Sequence, residues 1–290
     1  MKSILITGSD GQLGREIQGL SYTHVYKGYK FYYTDIDTLD ITSNEKVNQF
    51  FEQNSVDCLI NCAAYTGVDE AESEPDAAMQ VNARAVEILA KACAGNNARM
   101  FHVSTDYVFD GASPVPYRED DIASPISVYG KTKHEGEKAV LNYEHGTVVR
   151  TSWLYSPHGK NFFNTVLSLS SEKDQLNMIY DQVGTPTYAR DLARILLSMA
   201  DSSLSGKITD ISGIFHYSNE GVASWYDFAL EIVMMTGAHC RISPIETDLY
   251  PLPARRPHFS VMNKTKIRSL LSIDIPHWKE SLKSCIDQLN

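Results

Sequence analysis

A glycine loop set directly behind an apolar β-run constrains this chain more than any other feature. Ser3-Ile-Leu-Ile-Thr7 reads as a strand, Gly8-Ser-Asp-Gly11-Gln-Leu-Gly14 follows without a spacer, and a helical pattern begins at once. Glycines at that spacing permit a tight turn and close approach of backbone to a ligand. The helix N-terminus then points free N–H groups at it, which suits a pyrophosphate. Asp35 ends the second apolar run about 20 residues beyond the loop, where a carboxylate can accept hydrogen bonds from an adenosine ribose, with Asp40 near by. The third run ends in Asn61-Cys-Ala-Ala64-Tyr65, whose small side chains leave room for a dinucleotide across the strand ends. The expected cofactor set is therefore Gly8, Asp10, Gly11, Gln12, Leu13, Gly14, Asp35, Ile36, Asp40, Ile41, Ala63, Ala64 and Tyr65. An ordinary strand-to-helix turn with surface acids is the competing reading. Asp35 repels a 2′-phosphate whereas Arg15 could hold one, so NADPH and NADH are both expected to bind.

The same alternation continues. Phe31 to Thr34, Asp57 to Asn61, Met100 to Ser104 and Thr147 to Arg150 read as strands, with helical patterns between them. Thr42-Ser-Asn-Glu45 resembles a capping box, and Pro75 can open a long alanine-rich helix through Ala94. Such alternation implies an α/β fold with a Rossmann-type, doubly wound parallel sheet. Residues 1–150 are expected to form the dinucleotide-binding domain, with later returns near 187–211: a helix from Thr187 and a strand over Lys207 to Ile211. Residues 151–290 are expected to form mainly a smaller C-terminal α/β substrate lobe. From Phe215 on it carries a helix after Ser224, a proline-rich stretch from Pro244 to Pro257 and a tail helix near Trp278.

Composition removes several classes. With 43% hydrophobic residues the 290-residue chain can bury a sizeable core, yet no apolar run is long enough to span a membrane, and the N-terminus does not read as a secretory leader. Five scattered cysteines without a C-x-x-C pair suit a reducing compartment, so the cytoplasm is expected. A net charge of −10 argues against nucleic acid as a partner. No helical His-x-x-x-His pair is present to hold a catalytic zinc.

The candidate chemistry lies at Tyr129-Gly-Lys-Thr-Lys133, behind the β-run Phe101 to Phe109, which passes through Ser104 and Thr105. If Ser127 caps a helix, Tyr129 and Lys133 share one face and the ammonium lies beside the phenol. A phenol with a pKa of about 10 needs about 4 kcal/mol to fall by roughly 3 units. One positive charge at ~4 Å in an effective dielectric of ~20 supplies about that much. The pattern recurs from Tyr26 to Lys30, where Gly28 and the following aromatic run argue for turn and strand. A surface tyrosine beside a solvated lysine is the plain alternative at Tyr129.

Glycine loop, Asn61-Cys-Ala-Ala, Ser104-Thr-Asp-Tyr-Val-Phe and Tyr129-x-x-x-Lys133, in this order, resemble an extended short-chain dehydrogenase/reductase. Within that superfamily the chain is similar to the dTDP-4-dehydrorhamnose reductase family. The motifs are Val68-Asp-Glu-Ala-Glu-Ser-Glu-Pro75, Ser104-Thr-Asp-Tyr-Val-Phe-Asp-Gly111, Arg150-Thr-Ser-Trp153, Gly184-Thr-Pro-Thr187 and Pro253-Ala-Arg-Arg-Pro-His258. The resemblance implies NAD(P)H-dependent reduction of the C4 ketone of dTDP-4-dehydro-L-rhamnose to dTDP-L-rhamnose, a step toward cell-surface polysaccharide. In that scheme Tyr129 gives the proton and contacts both cofactor and substrate, Lys133 binds the cofactor at the nicotinamide ribose and tunes the phenol, and Thr105 hydrogen-bonds the sugar oxygen. Asp106 and Trp153 line the substrate pocket, and Arg256, with Arg255 beside it, clamps the nucleotide diphosphate. Thr105 as a strand-end cap, Trp153 as core and the arginines as a surface pair remain open alternatives. Some relatives hold magnesium between two subunits through the glutamate after the glycine loop, here Glu16. The second acid is replaced in this chain by Tyr188-Ala-Arg190, so no metal is expected. A homodimer is compatible with the resemblance, though the residues leave oligomeric state open. Two rival functions stand: a non-catalytic NADP-binding subunit resembling the regulatory partner of methionine adenosyltransferase, and another sugar-nucleotide reductase or epimerase.

Overall fold

Alternation of side chains along buried strands builds the centre of the molecule. The computed structural model describes residues 1–289; Asn290, the last residue of the expected lobe, lies outside them. Strands β1 (Lys2–Thr7), β2 (Tyr29–Thr34), β3 (Cys58–Asn61), β4 (Arg99–Thr105) and β5 (Gly146–Thr151) join Gly213–His216 in one parallel sheet. Its order is Gly213–His216, β5, β4, β3, β1, β2. Successive residues leave opposite faces. Ile4, Ile6, Ile60, Phe101 and Val149 enter one core with helix α1 (Gln12–Ser21) and the Ala189–Leu204 helix. Leu5, Leu59, Met100 and Val148 enter the other with α2 (Asn44–Gln53) and the Ala85–Gly95 helix. The chain runs outward from β1 to β2 on one side and from β3 to β4 on the other, so a crevice opens at the carboxyl ends of β1 and β3.

The sheet is therefore doubly wound and parallel, as expected, but three local expectations need correction. The sixth strand is Gly213–His216, not Lys207 to Ile211. After the Ala189–Leu204 helix the chain turns at Gly206 (φ +74°), and Asp210 accepts from the Ser212 amide and hydroxyl, which ties this segment into turns. The chain's return to the sheet thus runs to His216, and Phe215, assigned to the lobe by its sequence, is sheet core. Secondly, α2 is capped by Ser43, whose Oγ accepts from the Lys46 amide at 3.3 Å, because the Thr42 hydroxyl is taken by Asp40 at 2.6 Å.

Thirdly, the alanine-rich helix is not continuous: Pro75–Met79 passes through a π turn, Gln80–Arg84, into Ala85–Gly95. The extra residue aims Asn82 sideways, where it accepts from the Tyr65 amide at 2.8 Å and donates to the Tyr65 carbonyl and to Thr132 Oγ1 at 3.0 and 3.1 Å. The Val128–Leu141 helix meets this turn at Gly136, where a Cβ would lie 2.1 Å from the Asn82 carbonyl oxygen.

A third core, around Tyr155, Phe163, Phe228, Trp278 and Leu282, fills the smaller lobe. It joins the Phe162–Glu172, Trp225–Thr236 and Trp278–Asp287 helices to the parallel pair Gln175–Ile179 and Arg241–Ile245. Ser224 and Asp227 form a capping box that starts the second of these helices. Among the described residues no helix is long and apolar enough to cross a membrane.

Candidate active site

The crevice is a cleft of about 870 Å³, lined by the glycine loop, the ends of β3, β4 and β5, and the first turns of the Val128–Leu141 helix. Of the residues nominated from sequence for cofactor, substrate and catalysis, only the arginines Arg15, Arg255 and Arg256 do not line it. Gly8 has φ +68°, and a Cβ there would stand 2.6 Å from the Ala63 amide nitrogen; a Cβ on Gly14 would stand 2.5 Å from the Gly8 carbonyl. Only glycine permits this packing, which leaves the backbone bare toward the cleft. Asp35 braces the loop, accepting from the Asp10 amide at 3.0 Å and the Ile36 amide at 2.8 Å. Arg15 is exposed and donates to the Asp10 carbonyl at 2.9 Å. A backbone cradle with an acid at the next strand end fits a dinucleotide.

Across the cleft, Ser127 Oγ accepts from the Gly130 amide at 3.1 Å and starts the Val128–Leu141 helix where the sequence places it. Tyr129 thereby faces the end of β4. Thr105 Oγ1 accepts from the Tyr107 amide at 3.1 Å and donates to Asp106 Oδ1 at 3.0 Å. Asp106 is buried, its Oδ2 has no hydrogen-bond partner, and burial pushes its carboxyl up to about 6. Burial likewise pushes the Tyr129 phenol up to about 12, against the pull of the Thr105 hydroxyl. This corrects the expected acidification: the Lys133 amine does not lie on the phenol but donates to the Val103 carbonyl at 2.7 Å, with His102 Nε2 at 3.4 Å. Burial brings Lys133 down to about 8, partly opposed by Glu137 and Cys62. A phenol that stays protonated at neutral pH is what a proton donor requires.

Trp153 reaches the cleft in a left-handed conformation (φ +48°) and stacks face to face on Trp225, with ring centroids 3.5 Å apart and planes 3° from parallel. A Cβ on Gly184 would sit 2.6 Å from its indole. The pocket and packing readings of Trp153 therefore coexist. Arg256 stands apart. Its guanidinium binds both carboxylate oxygens of Asp69 at 3.0 and 2.6 Å and the Ala254 carbonyl at 3.0 Å. In this structure the guanidinium expected to clamp a diphosphate is engaged by an internal carboxylate.

Sequence reasoning missed His102, Asn82, Trp225 and Lys160, the last of which lines the cleft. Two of these carried a signal: a histidine inside an apolar β-run and an asparagine inside an alanine-rich helix.

The residues do not fit a divalent cation at Glu16. That side chain is 1% exposed, Arg190 Nη1 lies 3.1 Å from its Oε2, and His158 Nε2 lies 3.7 Å from its Oε1. A guanidinium already supplies the positive charge there. Among the described residues no group of three metal-ligating side chains occurs.

Comparison with known proteins gives matches over the whole length of the chain. The family described as the RmlD substrate binding domain matches residues 1–290. The chain is 38% identical over 291 residues to a dTDP-4-dehydrorhamnose reductase of Aggregatibacter actinomycetemcomitans, covering 98% of each chain. A solved dTDP-4-dehydrorhamnose reductase of Clostridium acetobutylicum superposes with a TM-score of 0.92 at 42% identity, covering 99% of each chain. Another, from Bacillus anthracis and in complex with NADP, gives 0.93 at 34% identity, covering 99% of this chain and all of that one.

Proposed function

Since the chain belongs to the RmlD substrate binding domain family, we propose that it reduces the C4 ketone of dTDP-4-dehydro-L-rhamnose to dTDP-L-rhamnose, using NADPH or NADH. The observation that carries this reading is the meeting of Thr105, Tyr129 and Lys133 in one cleft with the Gly8–Gly14 loop. The loop and Asp35 hold the dinucleotide at its phosphates and adenosine ribose, and Lys133 holds the nicotinamide ribose. When bound, the reduced nicotinamide supplies the hydride.

Chemistry on the protein side is proton management. As the ketone becomes an alkoxide, negative charge grows on its oxygen, and a donor aimed there stabilises the transition state more than the ground state. Tyr129 is that donor, since its phenol is still protonated at neutral pH. Thr105, whose single proton goes to Asp106, orients the phenol and accepts from a hydroxyl of the sugar. The Trp153 indole, held by Trp225, walls the sugar side.

Purified protein given dTDP-4-dehydro-L-rhamnose should consume reduced nicotinamide in step with a product heavier by one H₂ and of L-rhamno configuration. Sugar isomerised without net cofactor loss would instead mark an epimerase, and cofactor binding without turnover a binding subunit. Tyr129→Phe should lower turnover by about 10²–10⁴-fold while cofactor affinity, read by calorimetry, stays unchanged.

A further inference from the structure

Beneath the cleft a chain of buried polar side chains crosses the sheet, from Thr7 on β1 through Asn61 on β3 and His102 on β4 to Lys133. All four are at most 2% exposed. The backbone fixes its direction. The Ala63 amide, which can only donate, is 3.1 Å from Asn61 Oδ1, so that atom is the amide oxygen. Thr7 Oγ1 donates to the same oxygen at 2.7 Å. The other end of the amide, Nδ2, can only donate and lies 2.9 Å from His102 Nδ1. His102 Nδ1 must therefore accept, and the proton of the neutral imidazole sits on Nε2. That atom faces Lys133 Nζ at 3.4 Å.

We propose that Asn61 and His102 are positioning residues that lock the imidazole in its Nε2–H tautomer, aim a donor rather than a lone pair at the Lys133 amine, and thereby govern the lysine's protonation. A charged ammonium opposite an N–H is disfavoured, whereas a neutral amine accepts from it and still donates to the Val103 carbonyl. Burial acts in the same direction on both partners: it holds His102 well below the ordinary histidine range and brings Lys133 down to about 8. The remaining groups around the amine do not cancel this. Glu137, on the same helix, is engaged by Arg150 through two contacts of 2.8 Å. The Cys62 thiol, at the end of β3, is pushed up to about 12 by burial and stays neutral, as does Tyr129. The consequence rests on the reading of Lys133 as the ribose-holding cation: activity should fail on the alkaline side as this one amine loses its charge.

Nitrogen-15 histidine NMR on the intact protein tests the lock without needing turnover. His102, assigned by its loss in His102→Phe, should be neutral and protonated at Nε2 from about pH 6 to about pH 9. It should stay so in Lys133→Met, because Asn61 sets the tautomer. An Nδ1–H tautomer, an imidazolium, or a tautomer that changes in Lys133→Met overturns the proposal. In the pH dependence of kcat, His102→Phe should move the alkaline limb upward by about one unit or more. A uniform drop with the limb unmoved, as a packing defect would give, overturns it too. If His102→Phe does not fold, the wild-type spectrum, assigned through Asn61→Ala, decides alone. The tautomer found in a protein without reductase activity would count against the proposed function and not against the lock.

Discussion

Asp106 is a side chain the fold would be more stable without. Burial raises its carboxyl from 3.8 to about 6, so between those values the native state binds a proton that the unfolded chain has lost. Stability therefore falls as pH rises through that window and stays lowered above it. Asp106→Asn should stabilise the protein at neutral pH by about 2–3 kcal/mol, read as a higher urea midpoint, and the gain should vanish below about pH 4. No gain at neutral pH would mean that the carboxylate finds a partner in solution. The cleft carries this cost because Asp106 takes the single Thr105 proton and so leaves that hydroxyl free to accept from a neighbour. Glu137 lies at the opposite pole. Burial alone would raise it, yet the Arg150 fork and His134 hold it down to about 2. Breaking that pair by Arg150→Met would strand a buried charge.

At the scale of elements, the contact between the π turn and the Val128–Leu141 helix sets the wall of the cleft. Alanine at position 136 would gain about 1 kcal/mol in helix propensity, but its Cβ would meet the Asn82 carbonyl at 2.1 Å. Backbone cannot yield as a side chain does, and overpacking of that kind costs about 1–3 kcal/mol. Gly136→Ala should therefore destabilise the fold by chemical denaturation, and a stabilised variant would refute the close approach. This junction marks where legibility in the sequence ends. The Gly8–Gly14 loop, the Ser127 cap and the strand ends at Asn61 and Thr105 are encoded by residues adjacent in the chain, and all could be read. The π turn inserts a residue without disturbing the alanine pattern, so only the lone Asn82 hinted at it. The sixth strand was misplaced because apolar Ile208 and Ile211 look like a strand while packing as plugs beside the sheet. The partners of Arg256 and Lys133, Asp69 and the Val103 carbonyl, are remote in sequence, so nothing near either cation in the chain points to them.

Over the whole molecule, stacking ties the cofactor side to the lobe, while an ion pair joins two helices of the cofactor core. Glu16 on α1 and Arg190 at the start of the Ala189–Leu204 helix meet in the position where the family resemblance suggested a metal. Turnover should therefore be unchanged by a strong chelator and by added Mg²⁺, and silencing by chelator with rescue by Mg²⁺ would show that the guanidinium does not serve as the cation. Trp153 lines the cleft and stacks on Trp225 of the lobe, while the third tryptophan, Trp278, is buried in the lobe. Two indoles held so close and so nearly parallel couple their electronic transitions and exchange excitation. The pair should quench the emission of its own rings, and a ligand that slides one indole against the other should announce its arrival as a change in ultraviolet fluorescence, with no added dye.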